Sequence, residues 1–407
     1  MIIFLADLQN TYYRYLRNSI PIGMGYVAAY LKKRFGDDAE IHIFRKFEEI
    51  YEMLKEKKPH LAAFGSYCWN TELTLNTANF IRNRYPDTII AVGGPDVSIF
   101  PGLVEKDLQF NRQIDFYMPN EGEQPTANIV EALLSLKDSR KVRQSMIRGS
   151  FSINPKTNSL WGEIITRFEG DLNDIPSPYF DGLMDRFLKD TDYMPSIQTS
   201  RGCPYSCTFC VSGKSTWCKI RPFDIERVKA EIDYVAKVSK NSFMRFVDEN
   251  LGILPRDLEI VEYLMKKKKE SGFPQSGSIY TDKHPTDRVK QICYLMREII
   301  PFCVSYQSTT PGVLENIKRV NLTDEEVSSA VKFAREKKLI IVSELIFMLP
   351  GETVKSFLAS VQKLIDFRFE SMEVQPLQIL KGSVMDTPED RSKHGVKTMF
   401  SMAESCY

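Results

Sequence analysis

The chain has 407 residues, of which 43% are hydrophobic and 26% are charged, and its formal net charge is +1 at pH 7. This composition is ordinary for a globular protein and excludes a disordered or fibrous chain, and a charge near zero gives no general attraction to nucleic acid or to an anionic membrane. The first apolar run ends at Asp7, which is too short for a signal peptide or a membrane span. We therefore expect a cytoplasmic protein that binds neither nucleic acid nor membranes.

Residues 1–140 alternate β-rich runs with helical stretches. The predicted strands are Met1–Ala6, Glu40–Phe44, His60–Ser66, Thr88–Gly93 and Ile114–Met118. The predicted helices are Ile22–Phe35, Lys46–Lys57, Thr71–Tyr85 and Gln124–Leu136. Alternation of this kind favours an α/β domain with a doubly wound, Rossmann-like parallel sheet, in which ligands bind beyond the carboxyl ends of the strands.

Residues 141–194 break this rhythm, and we predict that they form a connector. The sequence NPKTN at Asn154–Asn158 predicts a hairpin turn between strands at Gly149–Ile153 and Ser159–Ile165. The DIPSPYF segment that follows carries two prolines, which disfavour both a helix and a central strand.

Residues 195–385 resume the alternation. The predicted strands are Ser196–Thr199, Phe243–Asp248, Gly277–Tyr280, Phe302–Gln307, Ile340–Met348 and Glu373–Ile379. The predicted helices are Asp224–Val238, Arg256–Lys269, Thr286–Arg297, Gly312–Lys318, Thr323–Lys337 and Val354–Phe367. About six βα units fit a partial (βα)6 barrel of the TIM type, because a complete eight-unit barrel typically needs about 250 residues. Residues 386–407 are predicted to be a short tail, so we expect either that a dedicated C-terminal substrate domain is missing or that the chain is truncated.

Three of the eight cysteines lie close together, directly after the first strand of the second region. Cys203, Cys207 and Cys210 have the spacing C-x3-C-x2-C in the sequence RGCPYSCTFC. Three thiolates in one loop suit a [4Fe–4S] cubane with one open iron, which is the mark of a catalytic centre. A zinc site completed by Cys218 is the alternative, although the second C-x2-4-C pair of a zinc ribbon is absent from the sequence.

This cysteine motif, with the aromatic Phe209 before the last cysteine, resembles the radical S-adenosylmethionine (radical SAM) superfamily. Four later segments also resemble it: FVDEN at Phe246–Asn250, SYQSTTPGVLENIKR at Ser305–Arg319, ELIFMLPGET at Glu344–Thr353, and LQILKGSVM at Leu377–Met385. The resemblance implies that the three cysteines hold a [4Fe–4S] cluster. It also implies contacts to S-adenosyl-L-methionine (SAM) from Phe209, Asp248, Glu249, Gln307, Ser308 and Glu344. Two positions depart from the family pattern, because Thr309 and Met348 stand where glycine is usual.

The first domain carries a second resemblance. Its segments IPIGMGYVAAYLKK, AFGSYCWN, VGGPDVS and NEGEQPT are similar to the cobalamin-binding domain of the cobalamin-dependent (class B) radical SAM enzymes. The resemblance implies cobalamin contacts from Ser66, Tyr67, Asn70, Gly93, Gly94, Pro95 and Glu121. Gly93 and Gly94 allow a bulky corrin to approach the backbone closely, or they form a turn that packing requires.

The sequence lacks the Asp-x-His-x-x-Gly loop with which cobalamin mutases ligate cobalt. His42 lies within a predicted strand and His60 at the start of another, so neither suits a ligand at the carboxyl ends. The resemblance therefore predicts a lower cobalt face without a protein histidine. The same absence is compatible with a domain that has lost cobalamin.

The combined resemblance implies a methyltransferase that moves methyl from methylcobalamin to an unactivated carbon, after hydrogen abstraction by a 5′-deoxyadenosyl radical. A non-methylating rearrangement or cyclisation and a zinc-stabilised, non-catalytic binding module are the alternatives. Methylthio transfer is disfavoured, because that family has three cysteines in its N-terminal domain and this one has only Cys68. The expected partners are a small-molecule or peptide substrate and an external electron donor such as a flavodoxin or ferredoxin. The sequence identifies no catalytic side chain.

Overall fold

A computed structural model describes residues 1–9 and 18–399, which form two units. The first unit comprises Met1–Phe187 and Leu380–Gly382, and the second comprises Leu188–Ile379 and Ser383–Met399. Most of the predicted connector, residues 141–194, therefore lies within the first unit.

The first unit contains eight described strands and six complete described helices. It also contains all of a seventh helix except the last residue, Leu188. The strands are β1 (Ile2–Ala6), β2 (Asn18–Ser19), β3 (Glu40–Phe44), β4 (Leu61–Gly65), β5 (Ile89–Gly93), β6 (Phe116–Met118), β7 (Ser150–Ile153) and β8 (Leu160–Glu163). The helices are α1 (Ile22–Phe35), α2 (Phe47–Glu56), α3 (Thr71–Arg84), α4 (Pro101–Phe110), α5 (Glu123–Leu136), α6 (Ser139–Arg143) and α7 (Asp185–Leu188).

Seven of these strands form one sheet in the order β3-β1-β4-β5-β6-β7-β8. The first five in that order are parallel, and β7 and β8 extend the sheet as an antiparallel hairpin. Every residue of β4 and β5 is buried, as expected for strands covered by helices on both faces. The strand order reverses between β1 and β4, and open α/β sheets bind ligands at the carboxyl ends of such strands.

The second unit contains nine further strands and seven further helices among the described residues. The strands are β9 (Tyr193–Met194), β10 (Ser196–Ile197), β11 (Ser200–Arg201), β12 (Arg221–Pro222), β13 (Phe243–Phe246), β14 (Ser276–Ser278), β15 (Phe302–Gln307), β16 (Ile341–Phe347) and β17 (Ser371–Pro376). The helices are α8 (Ile225–Val238), α9 (Asp257–Ser271), α10 (Asp287–Leu295), α11 (Pro311–Asn316), α12 (Asp324–Glu336), α13 (Val354–Asp366) and α14 (Pro388–His394).

Six of the strands of the second unit form two parallel sheets, in the orders β10-β13-β14 and β15-β16-β17. In β15 the side chains alternate between buried and half-buried positions. Phe302, Val304 and Tyr306 pack with residues of α12 in one apolar core, so the intervening side chains lie on the opposite face of the sheet. The chain is therefore a mixed α/β protein in which parallel pairing dominates, as predicted.

The structure differs from the predicted elements chiefly at α4, α6 and the hairpin. The sequence analysis predicts no helix between β5 and β6, but parallel neighbours need a long crossover, and α4 supplies it. The β7–β8 hairpin forms as predicted, yet it belongs to the first sheet through the pairing of Phe151 with Tyr117. Among the helices of residues 1–9 and 18–399, none combines the length and apolar character that crossing a bilayer requires.

Candidate functional site

The three clustered cysteines lie on the loop that connects β11 to β12, which form a separate two-stranded sheet. These two short strands pair antiparallel and close the base of the loop. Two glycines allow the loop to fold tightly: a Cβ on Gly202 would lie 2.5 Å from the Lys219 carbonyl oxygen, and one on Gly213 would lie 2.1 Å from that of Cys207. The Cys203 N–H donates to the Trp217 carbonyl at 2.9 Å, which joins the start of the loop to its end.

All three thiols are free, with Cys203 and Cys207 buried and Cys210 half-buried. The Asn250 side-chain amide donates to the Cys203 sulfur at 3.1 Å. Burial raises the pKa of the Cys203 thiol, and it raises the pKa of Cys210 to about 11. The thiols of Cys203 and Cys210 are therefore protonated near neutral pH until a metal displaces their protons, which is how thiolate ligands are recruited.

The residues between Cys207 and Cys210 hold this loop on the second unit. The Thr208 backbone N–H donates to the Ile317 carbonyl at 3.1 Å. Phe209, expected to contact SAM, packs against an apolar cluster that includes Ile317, Leu349 and Met385. The Thr208 hydroxyl, on the residue after Cys207, is buried and has no hydrogen-bond partner in the described structure, although buried polar atoms normally have one.

The zinc alternative requires several ligands around a single ion. In residues 1–9 and 18–399, no three His, Cys, Asp or Glu side chains are arranged to hold one metal ion. Cys218, the fourth ligand of that alternative, is exposed. A zinc ion needs every sulfur about 2.3 Å from one point, whereas the thiolates of a cubane bind separate irons. The described residues therefore show no preformed single-ion site that Cys218 completes.

Two adjacent acidic residues after β13 have different environments. Asp248 is 1% exposed, and its carboxylate accepts hydrogen bonds from the N–H and hydroxyl groups of both Thr199 and Ser200. With these donors, most of them on Oδ1, Asp248 orients the strand that leads into the cysteine loop. Glu249 accepts a single 3.3 Å hydrogen bond from the Gly202 N–H, and burial raises its pKa. Of the two, Glu249 is therefore the residue able to accept from a bound ammonium group.

The carboxyl end of β15 carries the next group of predicted SAM residues. Gln307 has φ of +67°, and the β15–β16 register is irregular between Ser305 and Gln307. The Ser305 hydroxyl donates to Glu344 at 2.7 Å, and Ser308 donates to Glu352 at 3.0 Å. The second carboxylate oxygen of Glu352 is buried without a partner in the described structure. Glu352 lies within the ELIFMLPGET segment but is not among the predicted site residues, although its place beside Gly351 is the available signal.

The predicted cobalamin residues all lie at one edge of the first sheet, after β4, β5 and β6. Asn70 is buried: its amide donates to the carbonyls of Leu8 and Gly65, at 2.9 and 3.1 Å, and its oxygen accepts from the Tyr67 N–H. Ser66 is buried beside it, and its hydroxyl donates to Asp96 at 3.5 Å. Asn70 therefore stabilises the loop after β4, and its amide is already bonded within the protein.

Gly93 and Gly94 have a packing role. A Cβ on Gly94, whose φ is +99°, would lie 2.6 Å from the Ser66 carbonyl oxygen. A Cβ on Gly93 would lie 3.0 Å from the Met118 carbonyl oxygen. Of the two interpretations of these glycines, the turn required by packing therefore explains the geometry, and only Pro95 next to them is exposed.

Glu121 and Asn120 follow β6 and differ in their partners. Glu121 is buried and accepts a 2.5 Å hydrogen bond from the Phe168 N–H, so it fastens the chain after β8 to this edge. Asn120 has φ of +71°, and both polar atoms of its side chain are buried without a partner in the described structure. Buried amide atoms normally have partners, so Asn120 is a candidate ligand contact that the sequence analysis missed.

Tyr67 and Trp69 form a flat aromatic surface after β4. Their rings are stacked, with centroids 4.6 Å apart and planes 14° apart, and Trp69 is 49% exposed. The two histidines of this unit lie elsewhere, as the sequence predicts. His42 lies within β3 and contacts Glu40, and His60 precedes β4 and accepts from the Ile2 N–H at 3.0 Å.

Residues 197–364 match the family model described as the radical SAM superfamily. The cobalamin-dependent radical SAM methyltransferase TokK of Streptomyces tokunonensis is 30% identical over 352 residues, which are 84% of this chain and 50% of that protein. The 2-(S-pantetheinyl)-carbapenam-3-carboxylate methyltransferase of Streptantibioticus cattleyicolor is 30% identical over 353 residues, with the same two coverages. The chain thus spans about half the length of these curated relatives.

A solved structure extends the likeness to both units. The radical SAM methyltransferase TsrM from Kitasatospora setae, solved with cobalamin and a [4Fe–4S] cluster bound, matches with a TM-score of 0.70. The match covers 94% of this chain and 76% of that chain at 15% sequence identity. At this identity the likeness concerns the fold.

Proposed function

Because the chain belongs to the family of cobalamin-dependent radical SAM enzymes, we propose that it is a methyltransferase that acts on an unactivated carbon of a small molecule. The observation that carries the proposal is the loop of the second unit on which three free cysteines follow β11. The names of the two bacterial relatives, both methyltransferases, support methyl transfer over a rearrangement or cyclisation.

We further propose that the six parallel strands of the second unit form a partial (βα)6 barrel. The two three-stranded sheets follow each other in chain order, and an isolated parallel bridge between Leu251 and Thr281 extends the pairing beyond β13 and β14. In such a barrel, the carboxyl ends of the strands carry the active site. The cysteine loop, Glu249 and Gln307 all follow strand ends, which supports this arrangement.

The residues fit the three cofactors that the proposal requires. Cys203, Cys207 and Cys210 would hold the [4Fe–4S] cluster, since their thiols are free and lie on one loop, on which the buried hydroxyl of Thr208 lacks a partner. Glu249, Gln307, Ser308, Glu344 and Phe209 would hold SAM, with Asp248 positioning the strand beneath them. Tyr67, Pro95 and Asn120 would contact cobalamin, while Ser66, Asn70, Gly93, Gly94 and Glu121 shape the loops on which they lie.

When bound, the cluster and SAM supply the radical that abstracts hydrogen from substrate, and cobalamin supplies the methyl group. The protein contributes position and environment. Asn250 orients the Cys203 sulfur, and the hydrogen bonds to Asp248 hold the chain that enters the loop. The Glu249 carboxylate accepts hydrogen bonds from an ammonium group. An external one-electron donor such as a flavodoxin or ferredoxin is the proposed reductant.

Anaerobic reconstitution with iron and sulfide tests the proposal. We expect the protein to bind non-haem iron and to form 5′-deoxyadenosine and S-adenosylhomocysteine from SAM with a thioether substrate of the carbapenam type. The triple variant Cys203→Ala, Cys207→Ala, Cys210→Ala should lose both iron and 5′-deoxyadenosine. Cys218→Ala is the matched control, because this thiol is exposed, and it should keep its iron. Formation of 5′-deoxyadenosine by the triple variant would overturn the proposal, and a zinc-containing protein without iron would favour the binding module.

A further inference from the structure

The cysteine loop contains a buried lysine that the proposed function leaves unexplained. Lys214 follows Cys210 by four residues and is only 6% exposed. In the described structure its ammonium forms no hydrogen bond and no ion pair with a carboxylate. Other largely buried lysines do have partners: Lys229 pairs with Glu226 and Glu259, and Lys290 donates to Ser329.

The backbone holds Lys214 against the cysteines. The Gly213 N–H donates to the Cys210 carbonyl at 3.1 Å, and Gly213 packs directly on the Cys207 carbonyl oxygen. On the other side, the Lys214 carbonyl accepts from the Trp217 N–H at 2.9 Å. Lys214 is therefore fixed by the same turns that shape the cysteine loop, and its position does not depend on a partner for its side chain.

The charge of Lys214 lies near Cys210, whose thiol is neutral until a metal displaces its proton. Burial lowers the pKa of its ammonium to about 8, and the Cys210 thiolate is the group that acts in the opposite direction. A largely buried ammonium without an anion is unfavourable, because it loses much of its hydration and gains no compensating charge. The position of Lys214 therefore suits a state of the protein in which negative charge has been added beside Cys210.

We propose that Lys214 is the counter-cation of the iron–sulfur cluster and favours its one-electron reduction. This inference rests on the proposed function. Three thiolates bring three negative charges into the loop, and reduction adds one electron from the external donor without forming or breaking a bond in the protein. A fixed positive charge stabilises the reduced, more negative cluster more than the oxidised one, since net charge is one of the factors that set cluster potentials. Lys214 acts here as a positioning residue for charge and does not react.

The test compares reduction potentials of variants that contain the cluster. We would measure iron content and the midpoint potential by EPR-monitored titration, without SAM, for the wild type, Lys214→Met and Lys214→Arg. Methionine keeps the length of the side chain and removes the charge, whereas arginine keeps the charge. Lys219→Met is the matched control, because Lys219 lies on the same loop but is exposed, where solvent screens its charge.

We expect Lys214→Met to retain iron and to have a more negative potential, by a shift larger than that of Lys219→Met, with Lys214→Arg close to the wild type. If Lys214→Met loses its cluster, retention of iron by Lys214→Arg would support the same role, whereas loss in both variants would show a packing role and overturn the proposal. Equal potentials in Lys214→Met and Lys219→Met would also overturn it. A second titration would be run with SAM present, and a shift that appears only there would assign Lys214 to the SAM carboxylate and overturn the proposal. Absence of iron from the wild type would count against the proposed function itself.

Discussion

Thr199 donates two hydrogen bonds to the carboxylate of Asp248, one from its backbone N–H at 3.0 Å and one from its hydroxyl at 2.7 Å. Ser200 adds two more from the equivalent groups. These hydrogen bonds to Asp248 thus join the end of β13 to the start of β11, which leads into the cysteine loop. A buried carboxylate with this many donors stabilises the structure, and we predict that its neighbour Glu249 makes the main contact to a ligand.

Replacement of Asp248 should therefore damage folding, and replacement of Glu249 should damage binding. Asp248→Ala leaves buried N–H groups without an acceptor, and we expect the free energy of unfolding to fall by about 3 kcal/mol. Glu249→Gln should change stability by less than about 1 kcal/mol and weaken SAM binding about tenfold or more. Urea denaturation and equilibrium dialysis with SAM measure the two effects. Equal losses of stability in both variants would contradict this division of roles.

The sequence predicts the alternation of elements well because strands such as β4 and β5 are continuous apolar runs between polar helices. It fails at α4, where only Val104 and Leu108 are buried. Two buried positions give little helical periodicity, and the Pro101-Gly102 start looks like a turn. The requirement for a crossover between parallel strands was the signal that could have identified this helix.

Site residues are predicted less completely because their roles depend on contacts between distant segments. Asp248 and Glu249 are adjacent and chemically similar, and only the position of Thr199 distinguishes them. Asn70 matches the family pattern, yet its side-chain amide donates hydrogen bonds to the carbonyl oxygens of Leu8 and Gly65. Lys214 is a single lysine in a loop, for which sequence alone indicates solvent exposure.

Asp257 makes the stability of the folded protein depend on pH, through the loop that carries Glu249. Its carboxylate accepts from the N–H groups of Gly252 and Leu254, at 2.7 and 3.0 Å, and burial raises its pKa from 3.8 to about 6. Because the folded state binds this proton more tightly than the unfolded state, the contribution to stability is present below pH 4 and is lost as the pH rises through about 6.

Asp257→Asn removes this titration while keeping an acceptor. The stability of the wild type relative to Asp257→Asn should therefore fall by up to about 3 kcal/mol between pH 4 and pH 7. Urea titrations of both proteins across this range measure the difference. A difference that stays constant with pH would show that Asp257 ionises with its ordinary pKa.

Asn120 should matter for cobalamin and little for folding. Both polar atoms of its side chain are buried without a partner among the described residues, and its φ of +71° is tolerated by glycine. We expect Asn120→Gly to raise the dissociation constant for cobalamin about tenfold, which corresponds to the loss of about one hydrogen bond. Its free energy of unfolding should change by less than about 1 kcal/mol.

Asn70→Ala is the contrasting variant at the same edge. It removes hydrogen bonds to the Leu8 and Gly65 carbonyls, so stability should fall by about 2 kcal/mol. Absorbance-monitored cobalamin binding and urea denaturation separate the two results. If Asn120→Gly binds cobalamin as the wild type does, the amide of Asn120 is not a ligand contact.

A substitution at Gly94 tests whether the two glycines at the end of β5 are required for close packing of the backbone. An alanine at this position combines a φ of +99° with a Cβ only 2.6 Å from the Ser66 carbonyl oxygen. Backbone atoms must shift to relieve this contact, so Gly94→Ala should lower the free energy of unfolding by about 3 kcal/mol in the absence of cobalamin. Gly102→Ala is the matched control: it lies in α4 with no atom within 4 Å of an added Cβ, and helix propensity predicts a gain of up to about 1 kcal/mol. Should Gly94→Ala fold as stably as the wild type and lose only cobalamin affinity, the glycine would instead serve close approach of the corrin.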